Sequence, residues 1–134
     1  MWGMGLKLSR QWRQVLLDWA DEAGDRECCG LLLGENQVVE QVQLTTNIAD
    51  DPLMQFEIEP GALIAAEKNA RHGGPQILGY FHSHPNGVAM PSASDASLAA
   101  PDGRYWLIIA GGMISLWMPV GDPVTFAQEE FVEG

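Results

Sequence analysis

Cysteine is almost missing from this chain: the only two, Cys28 and Cys29, are adjacent. Neighbours on a strand point to opposite faces, so a bond between them would be strained, and no third cysteine offers a partner. A disulfide framework is thereby excluded, and a reducing compartment, the cytoplasm, is expected. Basic residues are scarce too. Seven lysines and arginines stand scattered against 18 acidic residues, for a formal net charge of −11. Phosphate backbones and anionic lipid surfaces are poor partners for such a chain, so neither nucleic acid nor a membrane is expected to bind it. Charges interrupt each hydrophobic run well before the roughly 20 residues that a membrane span needs, and the opening Met1–Lys7 lacks the apolar core of a signal peptide. The acidic residues near the end, Asp122, Glu129, Glu130 and Glu133, have no basic counterpart and read as a solvated face.

What the chain does have is apolar content. With 46% hydrophobic residues in a length of 134, residues 1–134 make one domain. A domain of this size buries about two-thirds of its unfolded surface, enough to stand without disulfides or a structural metal. Ser9 can cap a helix whose apolar face is Trp12, Val15, Leu16, Trp19 and Ala20, with Gly24 placed to end it. Glu27–Gly34 and Val38–Leu44 read as consecutive strands with the Glu35-Asn36 pair as the turn of a hairpin. A polar loop, Asn47–Leu53, leads to a short alternating strand, Phe56–Ile58. Pro60 opens a second helix that runs through Ala70 to the stop at Gly73-Gly74-Pro75. A strand over Ile77–His82 follows, then a short helix from Ser92. Two further strands, Tyr105–Ala110 and Met113–Met118, are joined by Gly111-Gly112, and the tail from Val124 adds a last strand. No repeat, low-complexity tract or linker intervenes. The fold class is α/β, a mixed sheet with helices packed on it.

Histidine is nearly as rare as cysteine, with three in the chain, and two of them stand two apart at the end of the apolar run Ile77–Phe81. Side chains at i and i+2 of a strand share a face, so the imidazoles of His82 and His84 converge. Asp95, brought back by a short loop, completes a three-donor set. Two neutral imidazoles and one carboxylate suit Zn²⁺, and three protein ligands leave the fourth tetrahedral position for water, the arrangement of a catalytic site. Asp95 also falls three residues after Ser92, where a carboxylate is stabilised at a helix N-terminus with or without metal. His72, at the end of the second helix, reads as a cap. The tryptophans and the two cysteines read as core.

His82-Ser83-His84-Pro85, six residues, then Ser92-Ala93-Ser94-Asp95, with Glu27 far upstream, resembles the signature of the JAMM, or MPN-type, zinc metallopeptidases. The segments Glu27–Gly34 and Asn47–Pro60 are similar to those of the short bacterial members, and the likeness covers most of residues 6 to 118. The resemblance implies a single JAMM/MPN-type domain with a mixed, mostly antiparallel, curved sheet flanked by helices, like that of cytidine deaminases. It implies His82, His84 and Asp95 as zinc ligands, Glu27 as general base and acid, and Ser92 as stabiliser of the tetrahedral intermediate. The implied activity is hydrolysis of a peptide or isopeptide bond at the Gly-Gly tail of a ubiquitin-like or sulfur-carrier protein. The chain has no room for the insertions with which eukaryotic members grip ubiquitin, so recognition is expected from an extended tail laid along a strand edge beside the metal. Two other readings compete: a catalytically silent MPN-type scaffold, which would typically lack ligands that this chain keeps, and a relative associated with DNA repair, which the charge opposes. The oligomeric state is not legible in the sequence.

Overall fold

A computed structural model describes residues 5–132. After a two-residue strand, Leu6–Lys7 (β1), helix α1 covers Arg10–Ala23. The Ser9 hydroxyl accepts the Trp12 N–H at 3.2 Å, and Gly24, at φ 65°, ends the helix. The expected stripe turns onto the sheet: Leu16 is fully buried, and Trp19 stacks on Phe81 with ring centroids 5.9 Å apart.

Strands β2 (Cys29–Glu35) and β3 (Val38–Thr45) form the expected hairpin, but its turn is Asn36-Gln37, one residue later than the sequence suggests. Both turn residues have positive φ, 53° and 67°, as a two-residue hairpin turn of the right twist requires, and Glu35 is thereby freed to pair with Val38. Glu27 precedes the strand instead of opening it. Its N–H donates to the Pro52 carbonyl at 2.8 Å, outside the sheet. The expected strand Phe56–Ile58 is a single bridge, Asn47 to Ile58. The side chain of Asn47 takes the bonds a ladder would have made: its Oδ1 accepts from the N–H groups of Ala49 and Glu57, each at 3.0 Å.

Helix α2 (Pro60–Arg71) starts from Glu59, whose carboxylate accepts the N–H groups of Gly61 and Ala62. His72 closes it, with Nδ1 2.8 Å from the Lys68 carbonyl, as a cap. Then come β4 (Gln76–Ser83), the short helix α3 (Ala93–Leu98), β5 (Tyr105–Ala110) and β6 (Met113–Val120). Gly111 and Gly112, at φ 57° and 76°, make the turn between the last two. The tail supplies two strands, β7 (Thr125–Glu129) and β8 (Phe131–Val132), where one was expected. Trp2 and Glu133 lie outside the described residues.

All eight strands belong to one mixed sheet in the order β7-β6-β5-β4-β2-β3-β1-β8. Its two edge strands are separated in sequence by Glu130 alone. One residue spans at most about 3.6 Å of chain, so the sheet must curl until its edges nearly meet. Helix α1 packs on one face, over a core that includes Leu32, Phe81, Leu107 and Leu116. The other face carries Cys29, Phe56, Trp106, Ile108 and Trp117, and α2 covers Leu31, Leu33 and Ile77. Cys28 and Cys29 are free and buried in the two different cores, as neighbours on an extended chain must be.

One irregularity sets the orientation of β4. Leu32 pairs with Gly79 and Leu33 with Ile77, which leaves Leu78 as the extra residue of a bulge. Beyond it, strict alternation sends Phe81 toward α1 and places Tyr80 and His82 on the opposite face, beside Trp106. Among the described residues no helix is long and apolar enough to cross a membrane.

Candidate metal centre

The strand alternation that buries Phe81 on one face carries His82 to the other, where it is completely buried. His84 lies just past the end of β4, kept alongside β5 by its N–H bond to the Ile109 carbonyl at 2.8 Å. The two imidazoles meet as the i, i+2 spacing predicts, with their Nε2 atoms 3.0 Å apart. Asp95 arrives from the first turn of α3. Its Oδ1 lies 3.1 Å from His82 Nε2 and its Oδ2 3.0 Å from His84 Nε2. Ligand atoms around a tetrahedral ion with bonds of 2.0–2.1 Å stand roughly 3.3 Å apart, so this trio has the dimensions of a small divalent cation's coordination shell.

Each donor is held from behind. His84 Nδ1 is 2.8 Å from the Val88 carbonyl, which only accepts, so Nδ1 carries a proton, and in the neutral ring the Nε2 lone pair is the one that faces the site. Asn86 fixes that carbonyl's residue by accepting the Val88 N–H at 2.9 Å. His82 is clamped by rings: Phe56 stacks on it at 4.2 Å between centroids, 18° from parallel, and Trp106 meets it edge-on at 5.5 Å. Its Nδ1 is buried without a partner. Asp95 and Ser92 form a reciprocal cap, in which Oδ2 accepts the Ser92 N–H at 2.9 Å and Ser92 Oγ accepts the Asp95 N–H at 3.1 Å.

The electrostatics favour metal-ready protonation states at His82 and Asp95. Burial holds the His82 imidazole below its ordinary range, neutral, against the pull of Asp95. Burial also disfavours the charged form of His84, but bonds to Asp95 and the Val88 carbonyl, with the charges of Asp95 and Glu27, raise it overall. Asp95 is buried, which alone would raise it, yet hydrogen bonds from both imidazoles keep its carboxyl well below the usual carboxylate range.

Glu27 stands beside this trio. One of its carboxylate oxygens lies within 4.8 Å of imidazole nitrogens of both His82 and His84, and its Oε1 is buried with no hydrogen-bond partner. The backbone fixes it from two sides, since its N–H goes to the Pro52 carbonyl and its own carbonyl accepts Asn47 Nδ2, both at 2.8 Å. Desolvation pushes its carboxyl up to about 7; His84 pulls it down, while Asp95 and Asp51 add to the rise. Glu27, His84 and Ser92 line one groove of about 340 Å³, with Ser92 exposed at its side. All five residues singled out by the sequence therefore gather in one place. An unpartnered carboxylate oxygen and a set of three mutually touching donors fit a divalent cation.

Three supporting parts have no role legible in the sequence: the ring of Phe56 on His82, the side chain of Asn47 under Glu27, and the Asn86–Val88 turn behind His84. Asn47 and Phe56 fall in the stretch Asn47–Pro60 that is similar to the short bacterial members, but the likeness gives neither a role. The expected strand edge is not offered by β4, which is paired with β2 on one side and β5 on the other.

Residues 9–120 match the family of prokaryotic homologs of the JAB domain. A desampylase of Haloferax volcanii is 31% identical over 109 residues, covering 77% of this chain and 78% of that protein. A probable TtuB-protein conjugate cleaving protease of Thermus thermophilus is 32% identical over 99 residues, covering 74% of this chain and 66% of that one. The solution structure of a Desulfitobacterium hafniense protein superposes with a TM-score of 0.82 at 30% identity, over 96% of this chain and 92% of the other. On these matches, and on a fold that brings its candidate site together, the chain belongs to the prokaryotic homologs of the JAB domain and is a hydrolase of that family.

Proposed function

We propose that this protein is a cytoplasmic, zinc-dependent metallopeptidase that hydrolyses the peptide or isopeptide bond at the Gly-Gly tail of a ubiquitin-like or sulfur-carrier protein. The observation that carries the reading is the contact of His82 Nε2, His84 Nε2 and the Asp95 carboxylate at 3.0–3.1 Å from one another, with the unpaired carboxylate of Glu27 beside them. The conjugate-cleaving relatives support the substrate class.

His82, His84 and Asp95 would hold the ion. Two carboxylates flank the imidazoles, and their surroundings assign different roles. Asp95 touches both rings and is tied down by Ser92, as a ligand must be, whereas Glu27 stands off with a free oxygen and a pKa near neutrality, as a base must. When bound, Zn²⁺ supplies Lewis acidity, lowering the pKa of a coordinated water toward about 7 and polarising the scissile carbonyl. Glu27 takes a proton from the attacking water as the new C–O bond forms. It then returns that proton to the nitrogen as the C–N bond breaks, which leaves a carboxylic acid on the tail and a free amine; the acid then gives its proton to that amine or to solvent. Ser92 Oγ accepts the Asp95 N–H through a lone pair and so keeps its own hydrogen for the developing oxyanion. Because β4 is paired on both sides, the tail does not extend the sheet there. A complete set of donors gives no support to a silent scaffold.

The test is turnover, side by side, of a ubiquitin-fold carrier extended past Gly-Gly, a generic unstructured peptide and folded polyubiquitin, each with a zinc-free control. The carrier is expected to be cleaved and the other two poorly. Metal-dependent cleavage of polyubiquitin with none of the carrier would overturn the substrate assignment.

A further inference from the structure

Ser83 stands between His82 and His84, ends β4, and is buried at 4% exposure. On an extended chain it shares the face of Phe81 and points away from the candidate metal centre, toward Leu17 and Ala20 of α1, which line a cavity with it. Its hydroxyl is therefore turned away from ion and substrate alike. What it reaches is the backbone that carries Glu27.

The β2–β4 ladder runs out at the pair Cys29 and His82. One step further, the Ser83 N–H still donates to the Cys28 carbonyl at 3.0 Å. A regular antiparallel pair would return the bond from the Cys28 N–H to the Ser83 carbonyl. Here the Ser83 hydroxyl takes that carbonyl's place and accepts the Cys28 N–H at 2.9 Å. This N–H lies in the same rigid peptide plane as the Glu27 carbonyl, which accepts Asn47 Nδ2 at 2.8 Å. Both polar ends of the plane are thus held by side chains, one from the loop that starts at Asn47 and one from the segment that carries the imidazoles. Asn47 fixes Glu27 to the loop, whereas Ser83 fixes it to His82 and His84. We infer that Ser83 is a positioning residue, whose hydroxyl sets the Glu27 carboxylate against the candidate ligands by tying the Glu27–Cys28 peptide to the end of β4. The inference rests on the proposed function and adds to it the part that registers base against metal.

Ser83→Thr and Ser83→Val are alike in size and differ in the hydroxyl, and the cavity of about 450 Å³ beside Ser83 has room for the added methyl. Both are prepared as zinc-loaded full chains and assayed on a ubiquitin-fold carrier extended past Gly-Gly. Ser83→Thr should stay near the natural chain. In Ser83→Val, kcat should fall about tenfold to a hundredfold, the scale of a small misplacement of a reacting group, with KM little changed and the zinc retained. Ser83→Ala, which removes the hydroxyl and adds nothing, should behave as Ser83→Val does. Two further readouts separate a misplaced base from a loosened fold. In amide exchange, the Cys28 N–H should lose protection in Ser83→Val while Gly30, further along β2, keeps its own. In the Glu27→Gln background, Ser83→Val should lower the residual hydrolysis no further, because its effect runs through a carboxylate already gone. Equal kcat with and without the hydroxyl overturns the inference and leaves the hydrolase standing, as does a loss by the same factor with and without Glu27. Loss of zinc in step with kcat, or of protection at Gly30, makes Ser83 a support of the strand end and overturns it too. No hydrolysis of the carrier by the natural chain overturns the proposed function, and this role with it.

Discussion

Ser92 and Asp95 bind each other twice across the first turn of α3, the Asp95 carboxylate on the Ser92 N–H at 2.9 Å and the Ser92 hydroxyl on the Asp95 N–H at 3.1 Å. One pair of bonds therefore begins a helix and aims a candidate ligand between two imidazoles. It also sets the Ser92 hydroxyl at the side of the groove that Glu27 lines.

Ser92→Ala should accordingly do two separable things. Loss of the cap should cost about 1 kcal/mol of stability, and loss of an oxyanion donor should lower kcat about 10²–10³-fold. Ser92→Thr, which restores the hydroxyl, should recover much of both. Thermal melts and turnover on the same preparations measure the two effects, and a destabilised Ser92→Ala protein with unimpaired kcat would reduce Ser92 to a cap.

Asn47 is a positioning residue with four hydrogen bonds, including the one from Nδ2 to the Glu27 carbonyl. Asn47→Ala leaves the carbonyl of buried Glu27 and the N–H of half-buried Ala49 unsatisfied and should cost about 2–3 kcal/mol. Since the candidate ligands stand on β4, just past its end and on α3, and not on this loop, zinc content should stay near that of the natural chain while kcat falls about tenfold or more. Loss of zinc in step with activity would mean that the loop supports the whole centre and not Glu27 in particular.

The metal-free protein should show Glu27 in its stability. Burial raises this carboxyl from its ordinary 4.5 to about 7, so the folded chain keeps a proton that the unfolded chain has released. Stability from this group is fully present below pH 4.5 and is lost as pH rises through 7. Glu27→Gln, which is neutral throughout, should melt higher than the natural chain at pH 8 by about 3 °C or more, with a much smaller gap at pH 5. An equal gap at both values would show that the carboxylate is not desolvated.

How much of this was legible in the sequence depends on whether the cause is local. The cap at Ser9, the helix at Pro60, the Gly111-Gly112 hairpin and the convergence of His82 with His84 follow from spacing and from residue chemistry within a few positions. The turn at Asn36-Gln37 was missed by one residue, because either register gives acceptable alternation and the pairing of Glu35 with Val38 decides it. The bulge at Leu78 and the curl that brings β7 and β8 one residue apart depend on partners distant in sequence. Phe56 was read as a strand residue for the same reason. Its neighbours are His82 and Trp106, and nothing within its own segment announces them.

The most direct measurement is zinc content and turnover determined together on Glu27→Gln. This substitution keeps the shape of the side chain and removes its basicity. Two assignments compete for the same atoms, because Glu27, His82 and His84 could themselves hold an ion. If His82, His84 and Asp95 are the ligands and Glu27 the base, the variant should retain about one zinc per chain and lose nearly all hydrolysis. A variant that loses its zinc would make Glu27 a ligand, and one that still turns over substrate would remove it from the mechanism.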